Sequence, residues 1–241
     1  MTTRLEVLGI EGVPGVKPGD DLAAILAAAA ARTPTTGGGL RDGDVLVVTQ
    51  KVVSKAEGRL EPIDPNDPCS HKPIVERESV RILRRRGDLI VSETAHGFVC
   101  ANAGVDLSNI EQGYAALLPV DPDRSARRLR DRIRGRLGIT VGVVVSDTFG
   151  RPWRRGVTDI AIGVAGVAAI VDLRGTTDTH GRELRVTEVA VADELAAAAD
   201  LVCGKASGIP AAIVRGIDQG WLRESSVRAE IVRDPSEDLF R

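Results

Sequence analysis

The chain has 241 residues, of which 43% are hydrophobic and 27% are charged, and its formal net charge is -2. A chain of this length can bury a full core, as one large domain or as two modest ones. The near balance of 32 basic and 34 acidic residues argues against non-specific binding to nucleic acid or to an anionic membrane. No apolar run approaches the roughly 20 residues that cross a bilayer, and the first residues lack a secretory signal pattern, so we expect a cytoplasmic protein.

The pattern of hydrophobic residues in the first half predicts short strands separated by helices and loops. Asp20 and Asp21 precede an alanine-rich run, and acidic residues in this position are typical of a helix N-terminus. In chain order we predict a strand at residues 5–10, a helix that ends at residue 31, a loop at 33–39, a buried strand at 45–48, a loop at 62–73, a helix at 74–86, a strand at 89–93 and a β-rich segment at 96–105.

In the second half we predict a basic helix at 124–137, a buried strand at 141–146, a buried helix or strand at 158–171, a helix at 188–202 and a buried strand at 211–214. Strands and helices alternate without a strict βαβ rhythm, so the fold class is α/β of mixed α+β type, a mixed sheet with flanking helices. The chain contains neither GxxxxGK[ST] nor GxGxxG, so it is not expected to have a P-loop or Rossmann fold.

The three cysteines, Cys69, Cys100 and Cys203, form no CxxC pair. An odd number of widely spaced cysteines argues against a disulfide framework or a zinc site. We interpret each of them as a small buried thiol, and Cys100 in particular as a packing residue.

Polar side chains follow the predicted strand at residues 45–48. Gln50, Lys51 and Lys55 stand there, and the two ammonium groups could neutralise phosphates as point charges. Two solvated surface lysines would give the same pattern, and for this segment taken alone that interpretation is favoured.

A second polar segment, HGFVCANAGVDLSN, ends with Asp106 and Asn109 three residues apart. Asp106 could bind a hard divalent cation, and Asn109 could bond to a base or a sugar. An Asx-turn or a helix N-cap would also explain this DxxN spacing, and it is favoured for an isolated DxxN. His96, at the start of the segment, is either a ligand contact or a loop histidine bonded to backbone, and the second is favoured.

The third segment, VGVVVSDTFGRPWRRGVTD, reads as a strand that ends in Asp147 and Thr148, with Arg151, Arg154 and Arg155 beyond it. A carboxylate and a hydroxyl at a strand tip, close to arginines, are typical of a site that holds a metal and a polyphosphate together. A capped turn followed by a solvated basic loop is the alternative. Trp153 could stack on an aromatic ligand, although plain packing is the commoner role.

Together with GVPGVKPGDDL, LRDGDVLVVTQKVVSKAEGR and TEVAVADELAAAADLVCGKASGIPAAIVRG, these runs resemble, in order and over nearly the whole chain, the coenzyme F420-0:L-glutamate ligases. The resemblance implies the fold of that family, as a single module over residues 1–241 or as two intertwined subdomains. In actinobacterial relatives a C-terminal flavin reductase domain follows this module, and it is expected to be absent from this chain.

The resemblance further implies a GTP-dependent ligase that adds L-glutamate, through γ-linkages and an acyl phosphate, to coenzyme F420-0, with GDP and phosphate as products. Mg²⁺ or Mn²⁺, and K⁺ as a further ion, would assist. A homodimer and a separate flavin reductase partner are implied as well. Two alternatives stay open: a related acid–amine ligase that acts on another carboxylate, and a non-catalytic nucleotide-binding partner of a flavin reductase.

Residue by residue, the resemblance assigns catalytic roles to Asp106, Asp147 and Lys55, and metal ligation to Asp106, Asp147 and Thr148. The residues that match its nucleotide-binding positions are Val13, Pro14, Gly15, Val16, Gln50, Lys51, Lys55, Asn109, Cys203, Gly204, Lys205, Ala206, Ser207, Gly208, Ile209 and Pro210.

Lys205 departs from the pattern, because many family members have Gln at this position, which belongs to a second metal site. A cation cannot ligate a cation. Either the backbone carbonyl of Lys205 serves, or its ammonium replaces the charge of that metal. Glu188, near the start of a predicted helix, is expected to complement the helix dipole.

Overall fold

The computed structural model describes residues 4–34 and 38–238. In chain order its helices and strands are β1 (Glu6–Gly9), α1 (Leu22–Arg32), β2 (Val45–Thr49), α2 (Gln50–Ala56), β3 (Leu60–Pro62), α3 (Lys72–Glu78), β4 (Ser79–Arg86), β5 (Leu89–Thr94), β6 (Val99–Ala101), β7 (Tyr114–Ala116), α4 (Pro122–Leu137), β8 (Gly142–Gly150), β9 (Val157–Ala165), β10 (Val171–Asp172), β11 (Glu188–Val189), α5 (Val191–Cys203), β12 (Ala211–Arg215) and α6 (Val227–Glu230).

The central sheet has five strands in the order β1-β12-β2-β8-β9. Only β2 and β8 run parallel, and the other neighbours are antiparallel, so the predicted mixed sheet is confirmed. The last pair between β2 and β8 is Thr49 opposite Ser146, while β8 continues to Gly150. Asp147 and Thr148 therefore lie just beyond the carboxyl end of the parallel pair.

Side-chain caps begin the two helices that pack together beside the sheet. Asp21 accepts the N–H of Ala24 at the start of α1, as predicted, and Asp121 accepts the N–H of Arg124 at the start of α4. Gly138, in the left-handed conformation, ends α4. The buried residues of α1, together with Ala126, Leu129 and Ile133 of α4, belong to the main hydrophobic core, which also contains the central strands.

The first turn of α4 lies directly on β9. A Cβ atom at Gly163 would stand 2.3 Å from the carbonyl carbon of Pro122, so only glycine permits this approach. The carboxylate of Asp123 then accepts the backbone N–H of Val164 (2.8 Å) and of Val227 (3.0 Å). One buried carboxylate thus joins α4, the sheet and the C-terminal segment of the described chain.

A second, smaller hydrophobic cluster lies under the paired strands β3 and β7 and the three-stranded sheet β4-β5-β6. Its buried members are Ile74, Val75, Ile90, Ala103, Val105, Ala115 and Leu117. Asp106 directly follows Val105 of this cluster, and its backbone N–H and carbonyl both form hydrogen bonds with the backbone of Ala116. The smaller cluster therefore fixes the position of the Asp106 backbone.

The predicted helix at residues 74–86 is wrong beyond Glu78. Ser79 leaves the helix, and its hydroxyl donates to the carbonyl of Val75 and lies 2.7 Å from the hydroxyl of Ser92 on β5. Residues Ser79–Arg86 form β4, and a two-residue turn at Gly87 and Asp88 pairs Arg86 with Leu89. Gly87 has a φ of +57°, which this hairpin turn requires.

Three further boundaries differ from the predictions. The strand predicted at 141–146 continues to Gly150, because β9 pairs with it as far as Val157. The undecided run at 158–171 is mainly strand β9. Glu188 lies in β11 and forms an ion pair with Arg174 (3.1 Å), so it does not complement the dipole of α5, which begins at Val191. The loop at 33–39 includes residues 35–37, which lie outside the described residues.

Candidate active site

A cavity of about 560 Å³ opens at the carboxyl end of the parallel strands β2 and β8. Segments that are distant in the sequence meet here. For example, the N–H of Thr49 donates to the carbonyl of Pro210 (2.9 Å), and both residues line the cavity. The predicted residues that line this cavity are Val13, Pro14, Gly15, Val16, Gln50, Lys51, Lys55, Asp106, Asn109, Asp147, Thr148, Cys203, Gly204, Lys205, Ala206, Gly208, Ile209 and Pro210. The structure therefore brings together all of the residues that the resemblance assigned except Ser207.

One wall of the cavity, which we call the lysine side, consists of Lys51, Lys55, Asp106, Ser108 and Asn109. The Lys51 ammonium lies 2.9 Å from the Asp106 carboxylate and 2.8 Å from the Ser108 hydroxyl. The N–H of Ser108 also donates to Asp106 (2.7 Å), which is the predicted Asx-turn. Burial favours the neutral carboxyl, but the bonds from Lys51 and Ser108 outweigh burial and hold the pKa of Asp106 below its ordinary value.

Lys55 and Asn109 continue this wall. The Lys55 ammonium donates to the backbone carbonyl of Asn109 (2.9 Å), and partial burial together with the nearby charge of Lys51 lowers the pKa of Lys55. Asn109 has a φ of +54°, a conformation that asparagine tolerates better than most residues. Its side-chain amide donates to the backbone carbonyl of Lys205 (3.0 Å). Asn109 thus links the lysine side to the opposite wall.

The opposite wall, the acidic side, consists of Ser146, Asp147, Thr148, Asp159, Asp200 and Lys205. Burial, together with the charges of Asp106 and Asp159, raises the pKa of Asp147 to about 7, although the bond from the backbone of Thr148 lowers it. Asp106 and Asp147 are therefore close enough to repel each other, as expected for two carboxylates of one cavity.

Asp159 has a nearly buried side chain that accepts the hydroxyls of Ser146 (3.0 Å) and Thr148 (2.6 Å). The Lys205 ammonium lies 3.2 Å from Asp159 and 3.7 Å from Asp200, and it donates to the Thr148 hydroxyl. The sequence analysis missed both Asp159 and Asp200. In the structure Asp159 stands opposite Thr148 in the β8–β9 hairpin.

Some predicted residues lie elsewhere or face another way. Arg151, Arg154 and Arg155 are exposed and do not line the cavity, because β8 and β9 extend beyond Asp147 and carry their connecting turn away. Trp153, in the same turn, is 84% exposed. Ser207 also does not line the cavity, and its hydroxyl donates to the carbonyl of Cys203.

Gln50 is a mixed case. Its side chain is 1% exposed, and its amide nitrogen donates to the carbonyl of Leu117 (2.9 Å), so part of its role is structural. Its Oε1 is buried and has no hydrogen-bond partner among the described residues. A buried acceptor without a partner is costly, and a ligand or a water with an N–H or O–H donor at this cavity wall would satisfy it.

The other candidate groups are His96 and the cysteines; Cys100 and Cys203 are buried, whereas the prediction of a buried thiol is wrong for Cys69, which is exposed. His96 bonds through Nε2 to the carbonyl of Pro119 (2.9 Å) and stacks on Phe98, which confirms the favoured interpretation of a backbone-bonded histidine. Burial raises the pKa of both Cys100 and Cys203 to about 12, so neither thiol is ionised at neutral pH. Cysteine nucleophiles require the opposite shift.

The donor set of the cavity fits a hard divalent cation that also binds phosphate. Among the described residues, no group of three or more His, Cys, Asp or Glu side chains forms a complete metal-binding cluster. Mg²⁺ and Mn²⁺ nevertheless prefer oxygen ligands, and in phosphate-transfer sites one or two carboxylates commonly suffice, since phosphate and water complete the shell. Asp106 and Asp147 supply that number.

None of the helices in the described parts of the chain is both long enough and apolar enough to cross a membrane.

The chain matches the F420-0:gamma-glutamyl ligase family over residues 11–216. It is 45% identical to a coenzyme F420:L-glutamate ligase of Methanopyrus kandleri, in an alignment that covers 98% of this chain and 99% of that protein. Proteins of the same name from Methanothermobacter thermautotrophicus and Archaeoglobus fulgidus are 44% and 43% identical, over 98% and 99% of this chain and 99% and 97% of their own lengths. The chain therefore belongs to the F420-0:gamma-glutamyl ligase family.

Proposed function

We propose that this protein is a GTP-dependent ligase that joins L-glutamate to coenzyme F420-0 and extends the product through γ-linkages. The observation that carries the proposal is the meeting of Asp106, Asp147, Lys51 and Lys55 in one cavity. Nearly full-length relatives named coenzyme F420:L-glutamate ligase give the substrates.

The proposed reaction has two steps. A carboxylate is a poor acyl donor, because its oxygen is a poor leaving group. In the first step a carboxylate oxygen of F420-0 attacks the γ-phosphorus of GTP, the bond to the β-phosphate oxygen breaks, and GDP leaves. In the second step the glutamate amine attacks the carbonyl of the acyl phosphate, inorganic phosphate leaves, and the nitrogen loses a proton. No covalent bond to the protein is needed.

Each wall of the cavity has a part in this proposal. Lys51 and Lys55 would contact phosphate oxygens and counter the negative charge that develops during transfer. Asp106 and Asp147 would hold Mg²⁺ or Mn²⁺, which supplies further positive charge to the phosphates. With a metal held there, Asp106 would give up its contact with Lys51, and Lys51 would be free to contact the nucleotide.

The nucleotide would lie between two chain segments of the cavity rim, residues 13–16 and 204–210. Gly204 and Gly208 both have positive φ values, and glycine allows backbone to approach a ligand closely. Gln50, with its unsatisfied Oε1, offers an acceptor to a donor group of the nucleotide. K⁺ as an additional ion, the homodimer and a separate flavin reductase partner stay predictions.

The deciding experiment is incubation of the protein with F420-0, L-glutamate, GTP and Mn²⁺, followed by mass spectrometry of the deazaflavin and of the nucleotide. We expect the mass to increase by one or more glutamyl residues, with one GDP formed for each. If GTP is consumed and glutamate is added only to another carboxylic acid, the protein is a related acid–amine ligase. If neither GDP nor a glutamylated product forms, the proposal is wrong.

A further inference from the structure

The Lys205 side chain ends in a position that would otherwise suit a metal ion. Its ammonium lies 3.2 Å from Asp159 and 3.7 Å from Asp200, and it donates to the hydroxyl of Thr148. Two carboxylates and a hydroxyl are oxygen ligands of the kind that hard cations prefer. In this protein the cation that lies among these oxygen atoms is the ammonium group of Lys205.

The charges explain why the ammonium is held there. Asp147, Asp159 and Asp200 all line the acidic side, and Lys205 is the lysine that contacts this wall. Asp159 is nearly buried, with a side chain only 5% exposed, so its charge is poorly screened by solvent. A second divalent ion at Thr148 would meet the positive charge of Lys205 at contact distance.

The backbone carbonyl of Lys205 already makes another contact in this arrangement. Its carbonyl oxygen accepts the side-chain amide of Asn109 (3.0 Å) and is thereby engaged with the lysine side. The hydroxyl of Thr148 is engaged too, because it donates to Asp159 and accepts from Lys205. The predicted ligation of a metal by Thr148 therefore does not fit the structure while the ammonium is in place.

We infer that Lys205 is a built-in cation, so that each cavity takes one divalent metal ion, at Asp106 and Asp147, and uses the ammonium where a second ion would bind. The inference rests on the proposed function, since it takes the first metal site from it. The Lys205 side chain is 58% exposed, so its ammonium also faces the cavity, where it can contact a phosphate oxygen.

The test measures how many Mn²⁺ ions each protein variant binds. The wild-type protein, Lys205→Gln and Lys205→Ala are titrated with Mn²⁺ in the presence of GDP, with bound Mn²⁺ measured by equilibrium dialysis and spin coupling between ions measured by electron paramagnetic resonance. Lys72→Gln is the matched control, because Lys72 lies outside the cavity and bonds to the carbonyl of Asp88.

We expect one bound ion and no spin-coupled pair in the wild type and in Lys72→Gln. In Lys205→Gln, where an amide oxygen replaces the ammonium beside Asp159 and Asp200, we expect a second ion and a coupled pair. Lys205→Ala should bind the second ion at least about tenfold more weakly than Lys205→Gln does, because it lacks that oxygen ligand.

Two coupled ions in the wild type would mean that Lys205 moves aside for a metal, and the inference would be wrong. A single ion in both Lys205 variants would also overturn it, since the vacated position would then have no affinity for a metal. If the wild type binds no Mn²⁺ at all, the metal site of the proposed function fails together with the inference, which separates that result from the other two.

Discussion

The two walls of the cavity carry opposite balances of charge. The lysine side has two ammonium groups for one carboxylate, whereas the acidic side has three carboxylates for one ammonium. Their two central aspartates differ accordingly: Asp106, paired with Lys51, has a lowered pKa, and Asp147, buried among other carboxylates, has a pKa of about 7. In the proposed function the lysine side would offer cations to the phosphates, while one carboxylate from each wall, Asp106 and Asp147, would hold the metal.

Removal of the Asp147 charge should have the largest effect on this division. We expect Asp147→Asn to lower the turnover number by at least about 10³-fold, because the electrostatic support of the transferred phosphoryl group is lost. The measurement is GDP release and glutamylation under saturating Mn²⁺. Asp131→Asn, which changes an exposed carboxylate outside the cavity, should keep wild-type turnover. Undiminished activity of Asp147→Asn would refute the metal role of this wall.

The pH dependence of stability should differ between the two walls in the metal-free protein. The raised pKa means that folded Asp147 holds its proton more tightly than the unfolded chain does. Its contribution to stability is therefore complete below about pH 4 and is lost as the pH rises to about 7, by at most roughly 4 kcal/mol. Asp106, whose pKa is lowered, contributes in the opposite direction, with stability that is lost as the pH falls through its folded pKa.

Urea unfolding of the wild type and Asp147→Asn, in the presence of a chelator between pH 5 and pH 8, measures this difference. The wild type should lose stability relative to the variant as the pH rises, and Mn²⁺ should restore it in the wild type alone. Parallel stability profiles would show that Asp147 is not the group that titrates.

On the lysine side, Lys55→Met should lower kcat/KM for GTP by about 10²-fold, the scale of one lost charge contact to the transition state. Lys55→Arg keeps the charge but has a planar head that fits the Asn109 carbonyl differently, so we expect partial activity. Steady-state kinetics of both variants, with Lys72→Gln as the control, provide the check. Equal losses in Met and Arg would indicate that Lys55 acts by geometry and not by charge.

Removal of the Asn109 side chain, which links the two walls, should have the smallest effect of these substitutions. Asn109→Gly and Asn109→Ala both delete the amide bond to the Lys205 carbonyl, so we expect the same few-fold rise in KM for GTP, which corresponds to about 1 kcal/mol. Only alanine is strained by the left-handed backbone conformation at this position, by about 1 kcal/mol. The alanine variant should therefore unfold at a lower urea concentration than the glycine variant. If the two variants are equally stable, the positive φ of Asn109 costs nothing.

Sequence reasoning could predict the parts of this molecule that have a local signal. The Asp21 cap, the buried strands β2 and β12 and the mixed sheet follow from caps and apolar runs. A helix was predicted at residues 79–86 because Val80, Ile82 and Leu83 fit a helical face as well as a strand. The Gly87-Asp88 hairpin turn that follows favours a strand instead. The pairing of β4 with β5 outweighed the local pattern.

Most of the predicted site residues came from the resemblance, because solvated lysines, an Asx-turn or a capped turn explain the three polar segments as well as a binding site does, or better. The Asx-turn at Asp106 illustrates why, because the turn and the cavity contact exist together and the sequence pattern is the same for both. Asp159 and Asp200 were missed since their importance depends on where Lys205 ends in space. For Asp159 the contact joins residues 46 positions apart, which local spacing does not show.

The absence of a side chain at Gly163 has an effect far from that residue. Because α4 rests on bare backbone at this point, the Asp123 carboxylate reaches both β9 and the chain near Val227. A methyl group at this position on the edge strand β9 would lift α4, and the first element to loosen would be α6, because Val227 at its start would lose its bond to Asp123.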